Sequence, residues 1–417
     1  MSEFDKWKDF KKLTTLKISF YDSVNAKSAE IFGNGKNQVK LRIQVNVIDK
    51  NNEQIFISDD EISKILSLVT YSTGEKISHN GRPSSVKHWN SSLVASAFPY
   101  AFSYSTSLTR DENTDENAKE LRADQNFIFY LTANNVSAEQ NIDIAAQIDI
   151  PNVGAFNTTS DGTDTKNSPK GENGSPFRAP SSVHVKAMIP IDYSDITKLQ
   201  LIQSSWSPVK KQTFVVHNYK SDSKYWTKEN GASLYRSTVK ITPKLSDKLK
   251  FTEVKRAYFP IHSEDLIENK GMATWRHKKE PGILLRDGGD YSALFVAVGG
   301  FGKNVNHPDY DTYFWLRPLS VSPTIKGYFH LADSVWQYRT EVNIPLLNTS
   351  VGGDEVDLVG YKISTPTGPN VYSNHWEGKS GLVTCSVVDN YGNKGKFKII
   401  FFSDQSHYEK LGDVHLE

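Results

Sequence analysis

At 417 residues the chain is longer than one hydrophobic core usually serves, which sets the expectation at two domains. Hydrophobic residues at 37% and aromatic residues at 12% supply core material for both and exclude wholesale disorder. With 49 Lys plus Arg against 48 Asp plus Glu and no long run of one sign, the electrostatic footprint of a nucleic-acid binder is missing, and the single cysteine, Cys385, excludes both an intramolecular disulfide framework and a Cys-based zinc site.

Residues 1–16 mix Lys and Asp with Phe4, Trp7, Phe10 and Leu13, without an apolar run or a small-residue cleavage site. They read as an N-terminal arm and not as a classical signal peptide. Cytoplasmic synthesis, with any release following a route that forms no disulfides, is the matching expectation. Apolar runs such as 293–298 fall far short of the roughly 20 residues a membrane-spanning helix needs, so no transmembrane segment is expected.

A first domain is expected over 17–203. Residues 16–21, 39–48 and 54–58 alternate apolar and polar side chains between Asn, Gly and Asp clusters, which predicts strands and hairpins. In Leu41-Arg42-Ile43-Gln44-Val45-Asn46-Val47 every second residue is apolar, as a strand with one face in a core requires. Ser58 or Asp59 can cap a short helix running through Leu68, because Ile62, Ile65 and Leu66 lie at helical spacing behind an acidic first turn. Further strands are expected at 127–132, 142–150 and 183–189. Between them, residues 157–182 hold almost no apolar side chain and many Gly, Pro, Ser, Thr and Asn, and read as a long loop that is either a contact arm or a tolerated surface insertion.

Residues 204–212, where Ser and Pro interrupt both periodicities, read as a linker to a second domain over 213–417. Short apolar runs recur there at roughly regular spacing, which argues for a sandwich or barrel. The fold class expected is all-β, with two β-sandwich-like domains, the long polar loop and a few short helices.

Val45-Asn46-Val47-Ile48-Asp49 running into Lys50-Asn51-Asn52, and Cys385-Ser386-Val387-Val388-Asp389 running into Asn390-Tyr391-Gly392-Asn393, are both strands ending at an Asp whose side chain can close an Asx-turn before a residue that accepts positive φ. This strand and turn resembles that of bacterial immunoglobulin-like domains of adhesins and surface proteins. The resemblance covers about a dozen residues at each place, implies a β-sandwich with an extracellular or assembly role, and carries over no functional residue.

Chemistry-bearing motifs are sparse. The histidines form no H-E-x-x-H pair, the acids Asp161, Asp164 and Glu172 lack calcium-loop spacing, and there is neither G-x-S-x-G nor a P-loop. His307-Pro308-Asp309-Tyr310-Asp311 reads as a turn before an aromatic strand, Gly299-Gly300-Phe301-Gly302 as a flexible turn, and Cys385 as a small buried residue. No enzyme, metal or cofactor is therefore expected. Aromatic residues beside polar or charged neighbours remain, and Phe4, Trp7, Phe10, Tyr225, Trp226, Tyr372 and Trp376 are the candidate contact residues.

The function these features suggest is a non-enzymatic structural or interaction protein that self-associates in a bacterial surface, tail-like or filamentous assembly, as a homo-oligomer ordered by docked arms. The alternative is a secreted host-directed factor that recognises a glycan or host surface. It would be either lectin-like or a β-pore-forming toxin whose membrane hairpin comes from residues 91–109, although that stretch also reads as an ordinary pair of strands.

Overall fold

The computed structural model describes residues 5–105, 124–166, 176–208, 214–218, 224–227, 233–258, 266–268, 272–275, 282–286, 295–299, 309–316, 324–328, 338–342, 356–366, 381–401 and 414–417. The chain is all-β and divides into two compact units. Unit 1 comprises Met1–Ile191 together with the tetrapeptide Asn390–Asn393, and unit 2 comprises Asp192–Asp389 with Lys394–Glu417. The division falls twelve residues before the expected boundary at 203, because residues of the expected linker are stitched into unit 2. Ser204 donates its N–H to Thr238 O and accepts from Ser237 Oγ at 2.6 Å, and residues 207–208 pair with a strand at 235–236.

Unit 1 holds β1 (Phe10–Phe20), β2 (Ser28–Phe32), β3 (Gln38–Asp49), α1 (Asp59–Ile65), β4 (Leu66–Thr70), β5 (Ser78–His79), β6 (Trp89–Ser92), β7 (Ser103–Ser105), β8 (Gln125–Ala133), β9 (Gln140–Ile150), β10 (Gly154–Asn157) and β11 (Val183–Met188). They form a five-stranded sheet, β1-β3-β8-β6-β5, and a six-stranded sheet, β10-β9-β11-β2-β7, with β4 also on β9. The apolar alternates of both sheets share one core: Leu41, Ile43 and Val45 of β3 and Phe129 and Leu131 of β8 lie in the same cluster as Ile144 and Ile148 of β9 and Val185 of β11. Each such side chain, withdrawn from water, stabilises the unit by about 1.5–3 kcal/mol before chain entropy is counted.

The N-terminal arm is corrected by this fold. Asp5–Asp9 is a 3-10 turn, and β1 starts at Phe10, inside the segment expected to be an arm. Trp7 and Phe10 are 2% and 1% exposed, and the Phe10 ring lies 5.9 Å from that of Phe156 on β10. The apolar positions 7, 10, 13 and 16 look helical because their spacing is three. Two register shifts against β3, at Phe10/Lys12 and Leu13/Thr15, each insert one residue, so that a strand of period two buries Phe10, Leu13 and Leu16 on one side.

The long loop is also corrected. Over its described parts it folds back on unit 1: Thr158 is fully buried, accepting from Ala146 N–H and donating to Ser181 O at 2.6 Å. Ser181 Oγ in turn bonds both Ile18 N–H and Ile18 O, and the Phe177 ring stands edge-on to Phe156 at 5.8 Å. Residues 167–175 of the loop lie outside the described residues.

The short helix forms where expected but stops at Ile65. Ser58 caps it, donating from both its N–H and Oγ to Glu61, and the chain turns extended at Leu66 so that Leu66 and Leu68 enter β4 with period two. Glu61 is buried. Burial alone would raise its pKa, but the hydrogen bonds from Lys6 and Ser58 outweigh this and hold the carboxyl below its ordinary value.

The turn after β3 follows the Asx chemistry read from sequence: Asp49 Oδ1 accepts from Asn51 N–H at 2.8 Å and Glu53 N–H at 2.7 Å, and Asn52 sits at φ 66°. The tetrapeptide Asn390–Asn393 completes unit 1 from far along the sequence. The Tyr391 ring lies 5.8 Å from Phe32 and 5.4 Å from Phe102, while Asn34 Nδ2 donates to Tyr391 O and Asn393 Oδ1 at 2.9 and 3.0 Å. Gly392 turns there at φ 81°, where a Cβ would stand 3.0 Å from both Lys36 and Phe98.

Unit 2 contains β12 (Leu199–Gln203), β13 (Ser207–Pro208), β14 (Phe214–Asn218), β15 (Lys224–Thr227), β16 (Ser233–Pro243), β17 (Phe251–Tyr258), β18 (Leu266–Glu268), β19 (Met272–Trp275) and β20 (Gly282–Arg286). It continues with β21 (Phe295–Gly299), β22 (Asp309–Leu316), β23 (Thr324–Tyr328), β24 (Tyr338–Val342), β25 (Val356–Pro366), β26 (Gly381–Asp389), β27 (Lys394–Phe401) and β28 (Val414–Leu416). These form sheets β12-β16-β25-β22-β21, with β13 on β16, then β15-β14-β24, β17-β26-β27-β28 and β18-β19-β20-β23. Tyr193 is fully buried beside Phe251, its ring edge-on at 5.2 Å, and donates its hydroxyl to the buried Asp389 at 2.8 Å. Burial first, and the Asp389 carboxylate second, push the Tyr193 pKa upward and keep it protonated.

Candidate interaction surface

Strand alternation decides what the outer face of the five-stranded sheet presents. With Val39, Leu41, Ile43, Val45 and Val47 in the core, β3 sends Gln38, Lys40, Arg42, Gln44, Asn46 and Ile48 to the other side. β8 likewise sends out Asn126, Ile128, Tyr130 and Thr132. The registers align these into rows: Ser92–Tyr130–Lys40, Ile128–Arg42–Ser19, Asn126–Gln44–Lys17, Asn46–Thr15 and Ile48–Lys12. No Asp or Glu occupies any of these positions, whereas Lys12, Lys17, Lys40 and Arg42 do. In a chain whose charges nearly balance, the described strand positions of this face carry cations alone.

Lys40 anchors its aromatic corner. Its ammonium lies 5.7 Å from the ring centre of Tyr21 and 4.9 Å from that of Tyr100, and its strand neighbour across the register is Tyr130. Asp22 at the rim approaches Lys40 at 3.4 Å and accepts the Tyr104 hydroxyl at 3.4 Å. Burial and the nearby Asp22 raise the Tyr104 pKa, so that phenol stays neutral. Tyr21 and Tyr100 are 47% and 58% exposed, which puts two rings in water beside the cations. Arg42 donates Nε to Ser19 Oγ at 3.3 Å, and among the described residues no carboxylate pairs with Lys12, Lys17 or Arg42.

One polar atom of this face is unsatisfied. Asn46 is 8% exposed, and its Oδ1 has no hydrogen-bond partner. A buried polar atom in that condition costs about 1–3 kcal/mol. The outer face of the six-stranded sheet shows the opposite pattern: Lys186 meets Glu139 at 2.9 Å and Glu30 at 3.7 Å, His184 meets Asp143 at 2.8 Å, and Lys76 meets Asp149 at 2.7 Å. Charges there are matched within the face. On the five-stranded sheet, by contrast, Lys12, Lys17 and Arg42 meet no carboxylate among the described residues, and Lys40 meets Asp22 at the rim.

Of the contact residues expected from sequence, the structure describes the side chains of two, and neither lies on this surface. Trp7 and Phe10 are core, Tyr225 and Trp226 lie on β15 with only their backbone described, and Phe4, Tyr372 and Trp376 lie outside the described residues. The residues that form it were missed because Lys and Tyr on a half-buried strand look like ordinary solvent-facing alternates. Residues 91–105, the described part of the segment proposed for a membrane hairpin, run from β6 to β7, with Phe98 O and Tyr100 O accepting from Asn37 Nδ2 at 3.3 and 2.8 Å.

Among the described residues the nearest approach to a nucleophile and base is Ser91 with His79, whose Nδ1 lies 3.1 Å from Ser91 Oγ. Ser91 is almost fully buried and donates to Ser78 O, and His79 Nε2 faces Asn80 Nδ2 where a triad would need a carboxylate on the second ring nitrogen. Burial, then the Arg82 charge, depress the His79 pKa. Among the described residues no group of three or more His, Cys, Asp or Glu side chains converges as a metal site would require, and no helix is long and apolar enough to cross a membrane. The chain matches no protein-family model and no curated protein.

Proposed function

We propose that the chain is a non-enzymatic binding protein whose contact surface is the outer face of the five-stranded sheet in unit 1. The observation that carries this reading is the excess of cations on that face: among the described residues Lys12, Lys17 and Arg42 without a carboxylate partner, Lys40 with Asp22 at the rim, and two water-exposed tyrosines occupy one side of a sheet whose other side is core. A surface of one sign next to exposed aromatic rings favours a partner of the opposite charge, and steers its approach.

Self-association by exchanged arms, the expectation from sequence, loses its support because Trp7, Phe10 and the described loop residues pack on their own unit. The exposed edge of β1 also argues against strand-to-strand joining, since it carries Lys11, Lys12 and Lys17 and two bulges, devices that discourage edge pairing.

The test presents immobilised protein with acidic and neutral polysaccharides, an oligonucleotide and a second copy of itself. It compares wild type with the double reversal Lys17→Glu/Arg42→Glu. Binding of any of these that is lost in the double variant supports the reading. Partners bound equally by both proteins would place the contact surface elsewhere.

A further inference from the structure

We infer that the partner of this face is an acidic polysaccharide, a chain of pyranose rings bearing carboxylates. The inference rests on the proposed contact surface and adds the chemistry of what it binds. Three features of the face each select one property of such a polymer.

The cations select its charge. Lys17 and Arg42 are diagonal neighbours across β1 and β3, since Lys17 opposes Gln44 and Ser19 opposes Arg42. Lys40 follows Arg42 two residues back along β3, so the three form an oblique basic stripe whose Lys40 end also meets Asp22. Successive same-side positions on a strand lie about 7 Å apart. Carboxylates spaced along a polymer can therefore meet successive cations, and the guanidinium can take one in bidentate fashion.

The tyrosines select flat, partly apolar rings. Tyr21 and Tyr100 present aromatic surface to water at the Lys40 end of the stripe, where the C–H face of a pyranose can stack while the phenol hydroxyls bond its oxygens.

The amides select hydroxyl groups. Gln44 and the exposed Asn126 lie on the same face beside the stripe. A sugar hydroxyl both donates and accepts, so it can bond the Gln44 and Asn126 amides whichever way their O and N are placed. A phosphodiester backbone offers acceptors alone, which makes a DNA strand the poorer match.

The probes are polygalacturonate, its fully methyl-esterified form and a 20-residue oligothymidylate, each titrated against the full chain at low and high salt. Polygalacturonate should bind saturably. The neutral ester, which keeps the rings and loses the charge, should bind at least tenfold more weakly. Arg42→Gln and Lys17→Gln should each weaken polygalacturonate binding about five- to tenfold and reduce its salt dependence, since each removes one screened contact. Tyr100→Ala should weaken binding several-fold while leaving the salt dependence unchanged. An unaltered unfolding midpoint verifies that each variant is folded.

Equal affinity for the acid and its ester, or tighter binding of oligothymidylate, would overturn the inference. If oligothymidylate binds in an Arg42-dependent way and polygalacturonate does not, the ligand class is wrong and the contact surface stands. If no probe depends on Arg42 or Lys17, both fail.

Discussion

Replacing Phe10 with Ala separates a folded N-terminus from a docking arm. The ring is 1% exposed, touches Phe156 across the two sheets and sits at the first of the two bulges of β1, so its removal leaves a cavity that rigid neighbouring strands fill poorly. Phe→Ala at such a site costs about 3–5 kcal/mol. For a unit of this size that lowers the melting temperature by roughly 6–20 °C. The readout should be local, because a chain of two units need not unfold in one step. Hydrogen exchange of β3 peptides during a urea titration reports unit 1 directly, and the protected fraction should fall at lower urea in the variant. An exposed arm predicts a change within about 0.5 kcal/mol, with the effect appearing as lost association. Unchanged β3 protection together with a smaller native mass would refute the packing described here.

Two further outcomes follow from buried contacts. Tyr391→Ala removes a ring from the Phe32–Phe102 cluster and should destabilise unit 1 by about 2–4 kcal/mol, seen as faster exchange at residues 28–34 although the substitution lies over 350 residues away in sequence. A loss of protection confined to β26 and β27 would show that the tetrapeptide is dispensable to unit 1. Glu61 ionises more readily folded than unfolded, so its stabilising contribution is present above its ordinary pKa of 4.5 and is lost as pH falls through the lower folded value. Glu61→Gln should therefore lower the urea midpoint at pH 7 and approach wild type near pH 3, and a deficit that stays constant across this range would contradict the assignment.

The sequence alone was enough wherever the controlling interactions are local. The alternation in 41–47 placed β3, the Ser58–Glu61 spacing placed the start of α1, and Asp49 with Asn52 placed the turn, because each depends on residues within a few positions of one another. The all-β class followed from many such short periods. What remained hidden depends on partners distant in the chain. The helical-looking spacing of Trp7, Phe10 and Leu13 became a strand only through bulges against β3, and the described parts of the polar loop found their place only through Ser181 and Ile18. Asn390–Asn393 became part of unit 1 only through Asn34, Phe32 and Phe102. The cationic face belongs to the same class: β3 alone shows Lys40 and Arg42 pointing outward, but Lys17, Tyr130 and Tyr100 join them only through register and tertiary approach. Strand pairing sets which side chains are neighbours, and pairing is chosen by the burial of the whole core.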